Sequence, residues 1–230
     1  MNPNNNINKA TLVVKALIKL LLGFGMIGIM LFLTAGTWMY YNAWLFIVLL
    51  FIPMLGIGIY LLLRKPELLL KRLNNKESRS QQKLVLLLSS IMFIGGFTVA
   101  GFDYRFAWSS VPKGVVIIAT AVFLIGYLLY AEVMRENTYL SRTIEIQKDQ
   151  QLIDTGLYSV VRHPMYLATL LIYLTIPLIL GSFWSLLFFG WYPFLIAKRI
   201  IDEESLLDLE LPGYSEYKKR VRYRLIPGIW

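Results

Sequence analysis

Long apolar runs separated by short polar connections constrain this chain more than any other feature. A helix that crosses a bilayer needs about twenty consecutive apolar residues, and the 230-residue sequence is 57% hydrophobic and only 16% charged. It therefore predicts an all-α fold, a polytopic membrane helical bundle of about six transmembrane helices, or five if one run does not cross. The predicted spans are Leu20–Tyr40, Ala43–Leu63, Leu84–Phe102, Val115–Ala131, Pro164–Leu180 and Phe183–Ala197.

Short turns and small residues predict how these spans pack. Tyr41-Asn42 and Gly181-Ser182 are predicted as tight turns, so that each joins an antiparallel hairpin, the second of them in the C-terminal part of the chain. Glycines let membrane helices approach closely. We expect such contacts at Gly23, Gly25, Gly28, Gly56, Gly58, Gly95 and Gly96.

The basic residues predict the orientation of the bundle. With six spans, all 23 lysines and arginines except Arg105 and Lys113 fall on one side. The positive-inside rule then places both the N- and the C-terminus in the cytoplasm, as in a multi-pass integral membrane protein. The net charge of +9 is explained by orientation and by attraction to anionic lipid head groups. Nucleic acid is a poor partner, because these charges are spread over membrane-flanking loops rather than gathered on one soluble face.

The polar residues divide the chain into two parts. Residues 1–136 carry four spans with almost no polar interior and are predicted to be a transmembrane scaffold. Residues 137–230 are predicted to be the functional core, with a loop, the helical hairpin and a cytoplasmic tail. The alternating residues Thr143–Gln147 resemble a short strand, and the basic, aromatic segment Tyr214–Arg220 predicts a short cytoplasmic helix at the membrane surface.

Two polar clusters within the functional core are candidates for a site. The first is the strip that contains the single histidine of the sequence, against the start of the fifth span. Ionisable groups at a membrane boundary are costly and are therefore candidates for function. The second follows the last span, where Arg199 precedes Glu203 and Glu204. A tight hairpin joins the two spans, so we expect both clusters to meet. The strip includes Gly156, Tyr158, Arg162, His163, Pro164 and Tyr166.

Each cluster also has a purely structural explanation. A histidine before a proline at a helix start often only caps the helix. After the last span, the i,i+4 spacing of Arg199 and Glu203 would allow an ordinary ion pair, which contributes only tenths of a kcal/mol. Because consecutive helical residues point about 100° apart, Glu203 and Glu204 cannot both face one direction. The sequence leaves open which of them turns inward.

The sequence contains few residues that could bind a metal ion or act as a thiol nucleophile. The sequence contains no cysteine and one histidine, so it has no thiolate nucleophile, no disulfide and almost no ligands for a structural zinc ion. We therefore expect no metal site.

The order of these motifs resembles that in a known family. This family is the membrane methyltransferases related to isoprenylcysteine carboxyl methyltransferase and the phospholipid methyltransferases. The shared pattern is Gly-x-Tyr, Arg-His-Pro-x-Tyr, an apolar hairpin, Glu-Glu, Gly-Tyr-x-x-Tyr and a closing Arg-Leu-Ile-Pro, over about the last ninety residues. One departure is that the small residue after Tyr166 is displaced to Ala168, behind Leu167. The matching residues are Gly156, Tyr158, Arg162, His163, Pro164, Tyr166, Glu203, Glu204, Gly213, Tyr214, Tyr217 and Arg224 to Pro227.

The resemblance implies a site for S-adenosyl-L-methionine between the hairpin and the C-terminal segment. A Rossmann fingerprint is absent from the sequence, which agrees with this expectation. A glutamate would pair with the ammonium group of the methyl donor, while Arg162 and His163 would bind its carboxylate. Arg162, His163 and Glu204 are the expected catalytic residues. The expected cofactor-binding residues are Gly156, Tyr158, Arg162, His163, Pro164, Tyr166, Arg199, Glu203, Glu204, Tyr214 and Tyr217.

The methyl acceptor is expected to be a lipid or a prenylated small molecule whose tail stays in the membrane. The resemblance favours the carboxylate of an isoprenylcysteine-like substrate, with a phospholipid amine or a hydrophobic thiol as alternatives. An amine or thiol would need a base, for which His163 or a glutamate is the candidate. Two other classes stay open: an NADPH-dependent membrane reductase of the steroid type, and a non-enzymatic transporter or scaffold.

Overall fold

A computed structural model gives the architecture of residues 9–73, 80–140, 144, 146–147 and 149–230, without the side chains of residues 80–82. The secondary structure assigned to these residues is helical. Two of the five residues of the predicted strand, Thr143 and Glu145, lie outside them, and the described residues Ile144, Ile146 and Gln147 are not assigned to a strand. The helices are α1 (Lys9–Gly28), α2 (Tyr41–Arg64), α3 (Pro66–Leu73), α4 (Ser80–Phe106), α5 (Lys113–Glu136), α6 (Pro164–Leu180), α7 (Leu186–Phe189), α8 (Tyr192–Glu210) and α9 (Tyr214–Arg220).

Four of these helices are long and apolar enough to cross a membrane, so the protein is built as a multi-pass integral membrane protein. They cover Lys9–Leu33, Tyr41–Arg64, Lys83–Phe106 and Lys113–Glu136. Helix α6 coincides with the predicted fifth span but has only 17 residues, which is about 25 Å at the helical rise of 1.5 Å per residue. The all-helical prediction is confirmed. The structure supports four spans and one shorter apolar helix in place of six crossings.

The first predicted span was placed too far along the chain. The helix begins at Lys9, continues through a π-helical turn at Ile29–Leu33 and ends before Gly36. Gly36 has a φ of +70°, a conformation that favours glycine. The turn therefore precedes Tyr40, and the predicted turn at Tyr41-Asn42 was wrong because these two residues form the first turn of α2.

The sixth predicted span, Phe183–Ala197, was also wrong as a continuous helix. The chain leaves α6 through Gly181, which has the left-handed φ of +79° that the predicted turn requires. It then forms the short helix α7 and turns again at Gly190 before α8 begins. Pro193 explains the break, because proline lacks an N–H group and fits the first turn of a helix but not its interior.

Helix α7 seats two aromatic rings on the paired glycines of α4. A Cβ atom added to Gly95 would lie 2.3 Å from the ring of Phe188, and one added to Gly96 would lie 2.4 Å from that of Phe189. The predicted close packing is thus confirmed at these two positions. It was wrong for the other five glycines, where an added Cβ would meet no heavy atom of the described residues within 4 Å. These are Gly23, Gly25, Gly28, Gly56 and Gly58.

A buried carboxylate closes the end of the bundle at which α4 ends and α6 ends. Asp103 is 1% exposed and accepts hydrogen bonds from the backbone N–H of Ser109 at 2.7 Å and from the hydroxyls of Ser109 and Ser182. Sequence reasoning missed this group, because one aspartate near the end of an apolar run resembles an ordinary helix exit. Its bonds join the 107–112 connection to the α6–α7 turn and leave the opposite end of the bundle for the polar strip.

Candidate cofactor site

A cavity lies at the end of the bundle where α5 ends and α6 begins. The cavity has a volume of about 120 Å³ and is partly open to solvent. One part of the wall is apolar, with Leu207 and Leu211 among its residues, and another is polar. The polar and aromatic lining residues include Asn137, Tyr139, Gln150, Gln151, Tyr158, Arg162, His163, Tyr166, Arg199, Glu203, Tyr214 and Tyr217.

The loop before α6 is held by a carboxylate at the end of α5. Glu136 accepts hydrogen bonds from the hydroxyl of Thr155 at 2.7 Å and from the N–H of Leu157 at 3.3 Å. Gly156 between them has a φ of +51°, and a Cβ there would lie 2.3 Å from Glu136 Oε1. Only glycine fits such a position without strain. The following 3₁₀ turn, Gly156–Ser159, brings Tyr158 to the cavity.

The strip continues into α6 beside the last residues of the chain. The N–H groups of Arg162 and His163 donate to the carbonyl oxygens of Tyr223 and Arg224, both at 2.9 Å. Pro164 then occupies the first position of α6, with His163 as its N-cap. The backbone amides of Arg162 and His163 are therefore bound by the tail and are not offered to the cavity.

Glu204 is the centre of a buried ion cluster. Its Oε1 accepts from Arg162 Nε at 2.7 Å and lies 3.2 Å from His163 Nε2, while its Oε2 accepts from Arg224 Nε at 2.8 Å. Burial raises the pKa of the Glu204 carboxyl, but the hydrogen bonds from His163 and Arg162 outweigh it, so that the pKa lies well below its usual range. Glu204 is thus an ionised, fully partnered carboxylate. It is absent from the lining of the cavity.

Glu203 is the glutamate that faces the cavity. Its Oε2 accepts a hydrogen bond from the hydroxyl of Tyr166, and the same hydroxyl accepts from Arg199 Nε at 2.9 Å. The guanidinium of Arg199 also lies 5.9 Å from the centre of the Tyr166 ring. The two glutamates therefore have different surroundings, with Glu203 in the cavity wall and Glu204 behind it.

Tyrosines from the 3₁₀ turn and from α9 complete the wall. The hydroxyl of Tyr217 donates to the carbonyl oxygen of Tyr158 at 2.7 Å, and the amide of Asn137 donates to the Tyr158 hydroxyl at 2.9 Å. The Tyr214 hydroxyl lies 3.4 Å from Glu204 Oε1. Burial raises the pKa of Tyr158, Tyr214 and Tyr217, so these hydroxyls stay protonated at neutral pH.

The structure brings together most of the residues singled out in the sequence. Among the described residues, Tyr158, Arg162, His163, Pro164, Tyr166, Arg199, Glu203, Tyr214 and Tyr217 line the cavity, whereas Gly156 and Glu204 do not. Sequence reasoning missed Glu136, Asn137 and the position of Arg224. A glutamate and an asparagine at the end of an apolar span look like a helix end, and only the close approach to Gly156 shows what Glu136 does. Within the described part of the chain, no cluster of acidic or histidine side chains is suited to a metal ion.

Comparisons with known proteins match the segment that supplies most of the cavity lining. Delta(14)-sterol reductase TM7SF2 of Mus musculus is 34% identical over 91 residues, which are 38% of this chain and 22% of the reductase. The chain thus spans about a fifth of the curated relative that it matches. Residues 114–209, from α5 through most of α8, match the phospholipid methyltransferase family. The resemblance that the motifs predicted is therefore confirmed for residues 114–209, whereas the Gly-Tyr-x-x-Tyr and Arg-Leu-Ile-Pro motifs lie beyond the matched segment.

Proposed function

We propose that this protein transfers a methyl group from S-adenosyl-L-methionine to an amphiphile held in the membrane. The observation that carries the proposal is a cavity at the end of the bundle, lined mostly by residues of the matched segment 114–209, with the acidic Glu203 and the basic Arg199 in its wall. S-adenosyl-L-methionine supplies an electrophilic methyl group on a sulfonium sulfur. An in-line transfer asks the protein mainly to hold donor and acceptor in line and to exclude water.

The lining residues fit such a donor. The Glu203 carboxylate suits its ammonium group, and the guanidinium of Arg199 suits its carboxylate. The apolar wall with Leu207 and Leu211 suits the adenine ring. Tyrosine faces attract cations that lie over them, and Tyr158, Tyr166 and Tyr214 supply such faces. These contacts divide the donor between a polar and an apolar wall.

For Arg162 and Glu204 of the buried cluster, the role proposed is to position His163 rather than to bind the donor. Arg162 donates from Nε to Glu204 and from Nη1 to the carbonyl oxygens of Val221 and Arg222, the latter two at 2.8 Å each. We assign Arg162 and Glu204 to holding His163 in the cavity wall. Because Glu204 is ionised and only accepts, His163 donates from Nε2. In the neutral ring Nδ1 then carries no hydrogen and can take up a proton. Methyl transfer to an amine or a thiol would need such a base.

The acceptor is proposed to be the carboxylate of an isoprenylcysteine-like lipid. This choice rests on the likeness of the closing tail, and no base is required because a carboxylate reacts as the anion. A phospholipid amine is the second candidate acceptor, supported by the family of the matched segment. The cavity end of the bundle also carries most of the basic loops, so we propose that it faces the cytoplasm, together with both termini.

Binding measurements test the proposal. Purified protein in detergent should bind S-adenosylhomocysteine in calorimetry, and Glu203→Gln should weaken binding by about tenfold or more, since a charge-assisted bond is worth about 1.5–3 kcal/mol. Asp202→Asn, one residue away on α8 and outside the cavity lining, is the matched control. Absence of binding by the unaltered protein would overturn the methyl-transfer proposal.

A reductase is the second candidate function, because the matched relative is a sterol reductase. In that case NADPH, rather than S-adenosylhomocysteine, would raise the unfolding temperature of the protein. A thermal-shift comparison of the two ligands, with Glu203→Gln in parallel, decides between the candidates. A shift with NADPH alone favours reduction.

A further inference from the structure

Residues 224–230 form a closed loop against the buried ion cluster. The carbonyl oxygen of Trp230 accepts from the N–H groups of Arg224, Leu225 and Ile226 at 3.0, 2.9 and 3.1 Å. The N–H of Trp230 in turn donates to the carbonyl oxygen of Ile226 at 3.1 Å. Gly228, with a φ of +82°, provides the turn. Residues 224–230 are therefore tied by backbone bonds into one unit.

The closed loop is anchored to the helical core. Leu225 is 5% exposed and belongs to the main hydrophobic cluster, against which Trp230 also packs. The centre of the Trp230 ring lies 5.2 Å from the Arg224 guanidinium, within the range of a cation–π contact. The Trp230 ring and the backbone bonds of the closed loop thus fix the Arg224 side chain, which in turn donates to Glu204.

Arg224 connects the closed loop to the cavity wall by two routes. Its Nε donates to Glu204 Oε2 at 2.8 Å, and its carbonyl oxygen accepts from the N–H of His163 at 2.9 Å. Glu204 Oε1 meets Nε2 of the same histidine at 3.2 Å. His163 is therefore held at its backbone by Arg224 and at its ring by Glu204, which Arg224 also contacts.

We propose that Arg224 and Trp230 are positioning residues, which hold His163 and Glu204 in the geometry that the cavity needs without contacting the ligand themselves. Neither residue lines the cavity. The inference rests on the proposed function for its ligand, but the orientation of His163 can be measured with no ligand present. Removing the outer hydrogen-bond partners of metal ligands typically changes affinity or activity by about 10- to 100-fold, and we expect an effect of the same order here.

The single histidine of the sequence makes the proposal directly measurable. Selective ¹⁵N labelling of histidine gives the ring signals of His163 alone. The unaltered protein should show one sharp set of ring signals, with a proton on Nε2. Arg224→Gln and Trp230→Ala should broaden or split this set, because Glu204 is then no longer fixed at Oε2. The groups that face the ring network are Glu204 of α8, Arg162 of the strip, Tyr166 of α6, Tyr214 of α9 and Arg224 of the tail.

Affinity for S-adenosylhomocysteine gives the second readout. Arg224→Gln and Trp230→Ala should raise its Kd by about tenfold or more. Trp230→Phe, which keeps a ring over Arg224, should restore affinity to within a few-fold. Arg222→Gln and Ile229→Ala are matched controls in the same tail, since both side chains are exposed, and they should leave Kd and the ¹⁵N signals unchanged.

The outcomes separate this proposal from the proposed function. A folded Arg224→Gln variant with the same His163 signals and Kd as the unaltered protein would overturn it. If Arg224→Gln fails to fold, Arg224→Lys decides, because it keeps the charge but loses the fixed Nε–H geometry. A several-fold rise in Kd then supports positioning, and an unchanged Kd overturns it. If the unaltered protein binds no S-adenosylhomocysteine, methyl transfer fails as a proposal, while the ¹⁵N signals still test the closed loop.

Discussion

Arg162 Nε donates a hydrogen bond to Glu204 Oε1 at 2.7 Å across 42 residues of sequence, and both side chains are about 6% exposed. Such a buried pair gives no net gain in stability unless its remaining groups are also bonded. Here Arg162 Nη1 also donates to two tail carbonyls, and Glu204 also contacts His163 and Arg224. The pair therefore joins the strip, α8 and the tail into one unit behind the cavity.

Glu204→Gln should destabilise the protein strongly. The change keeps the size of the side chain but leaves the buried Arg162 charge without its carboxylate, and breaking a buried pair in this way costs about 3–5 kcal/mol. The free energy of unfolding in mixed detergent micelles measures the effect. Glu203→Gln is the control, since Glu203 lies in the cavity wall, and it should change stability by less than about 1 kcal/mol. Equal losses for both variants would contradict the separate roles of the two glutamates.

Acidification should weaken the same cluster. Because the pKa of Glu204 in the folded protein lies below its ordinary value of 4.5, the unfolded chain binds its proton first as the pH falls. The stabilisation is thus fully present above about pH 4.5 and is lost progressively as the pH falls below it towards the folded pKa. The difference in stability between the unaltered protein and Glu204→Gln should shrink over this range. A difference that stays constant from pH 7 to pH 3 would show that Glu204 is not the group responsible.

The sequence predicted the class of fold and the meeting of the two clusters for clear physical reasons. Apolar runs near twenty residues report the bilayer directly, and a hairpin turn at Gly181 forces the start of α6 and the middle of α8 to the same end. The break between α7 and α8 could not be predicted from hydropathy. Hydropathy does not show that Phe188 and Phe189 pack on Gly95 and Gly96 from a short, separate helix.

The assignment of roles within the site was harder to predict. Adjacent glutamates on a helix point in different directions, yet only the position of Arg162, Arg224 and His163 decides that Glu204 is the buried one. Glycine positions show the same limit. A glycine in an apolar run fits both a close helix contact and a position with open space around it, as Gly96 and Gly23 respectively illustrate among the described residues.

Gly156→Ala should disturb the loop that carries Tyr158. The substitution forces a residue with a Cβ into a left-handed conformation, which costs about 1–2 kcal/mol, and also places that Cβ 2.3 Å from Glu136 Oε1. Gly228→Ala is a matched control, because Gly228 has a φ of +82° but open space around its Cβ position. Stability of Gly156→Ala should fall by more than that of Gly228→Ala. Addition of Glu136→Ala should recover part of the excess, and no recovery would argue against the clash.

Gly96→Ala should destabilise the bundle, whereas Gly23→Ala should not. In the first variant the new methyl group would lie 2.4 Å from the ring of Phe189, which is fully buried. Overpacking of this kind costs about 1–3 kcal/mol. In the second variant the methyl group meets no described heavy atom within 4 Å, and such surface changes stay within about 0.5 kcal/mol. Thermal unfolding of the two variants side by side measures the difference, with Phe189→Leu added to Gly96→Ala as a test of relief. Equal unfolding temperatures for Gly96→Ala and the unaltered protein would show that α7 does not pack on α4 as described.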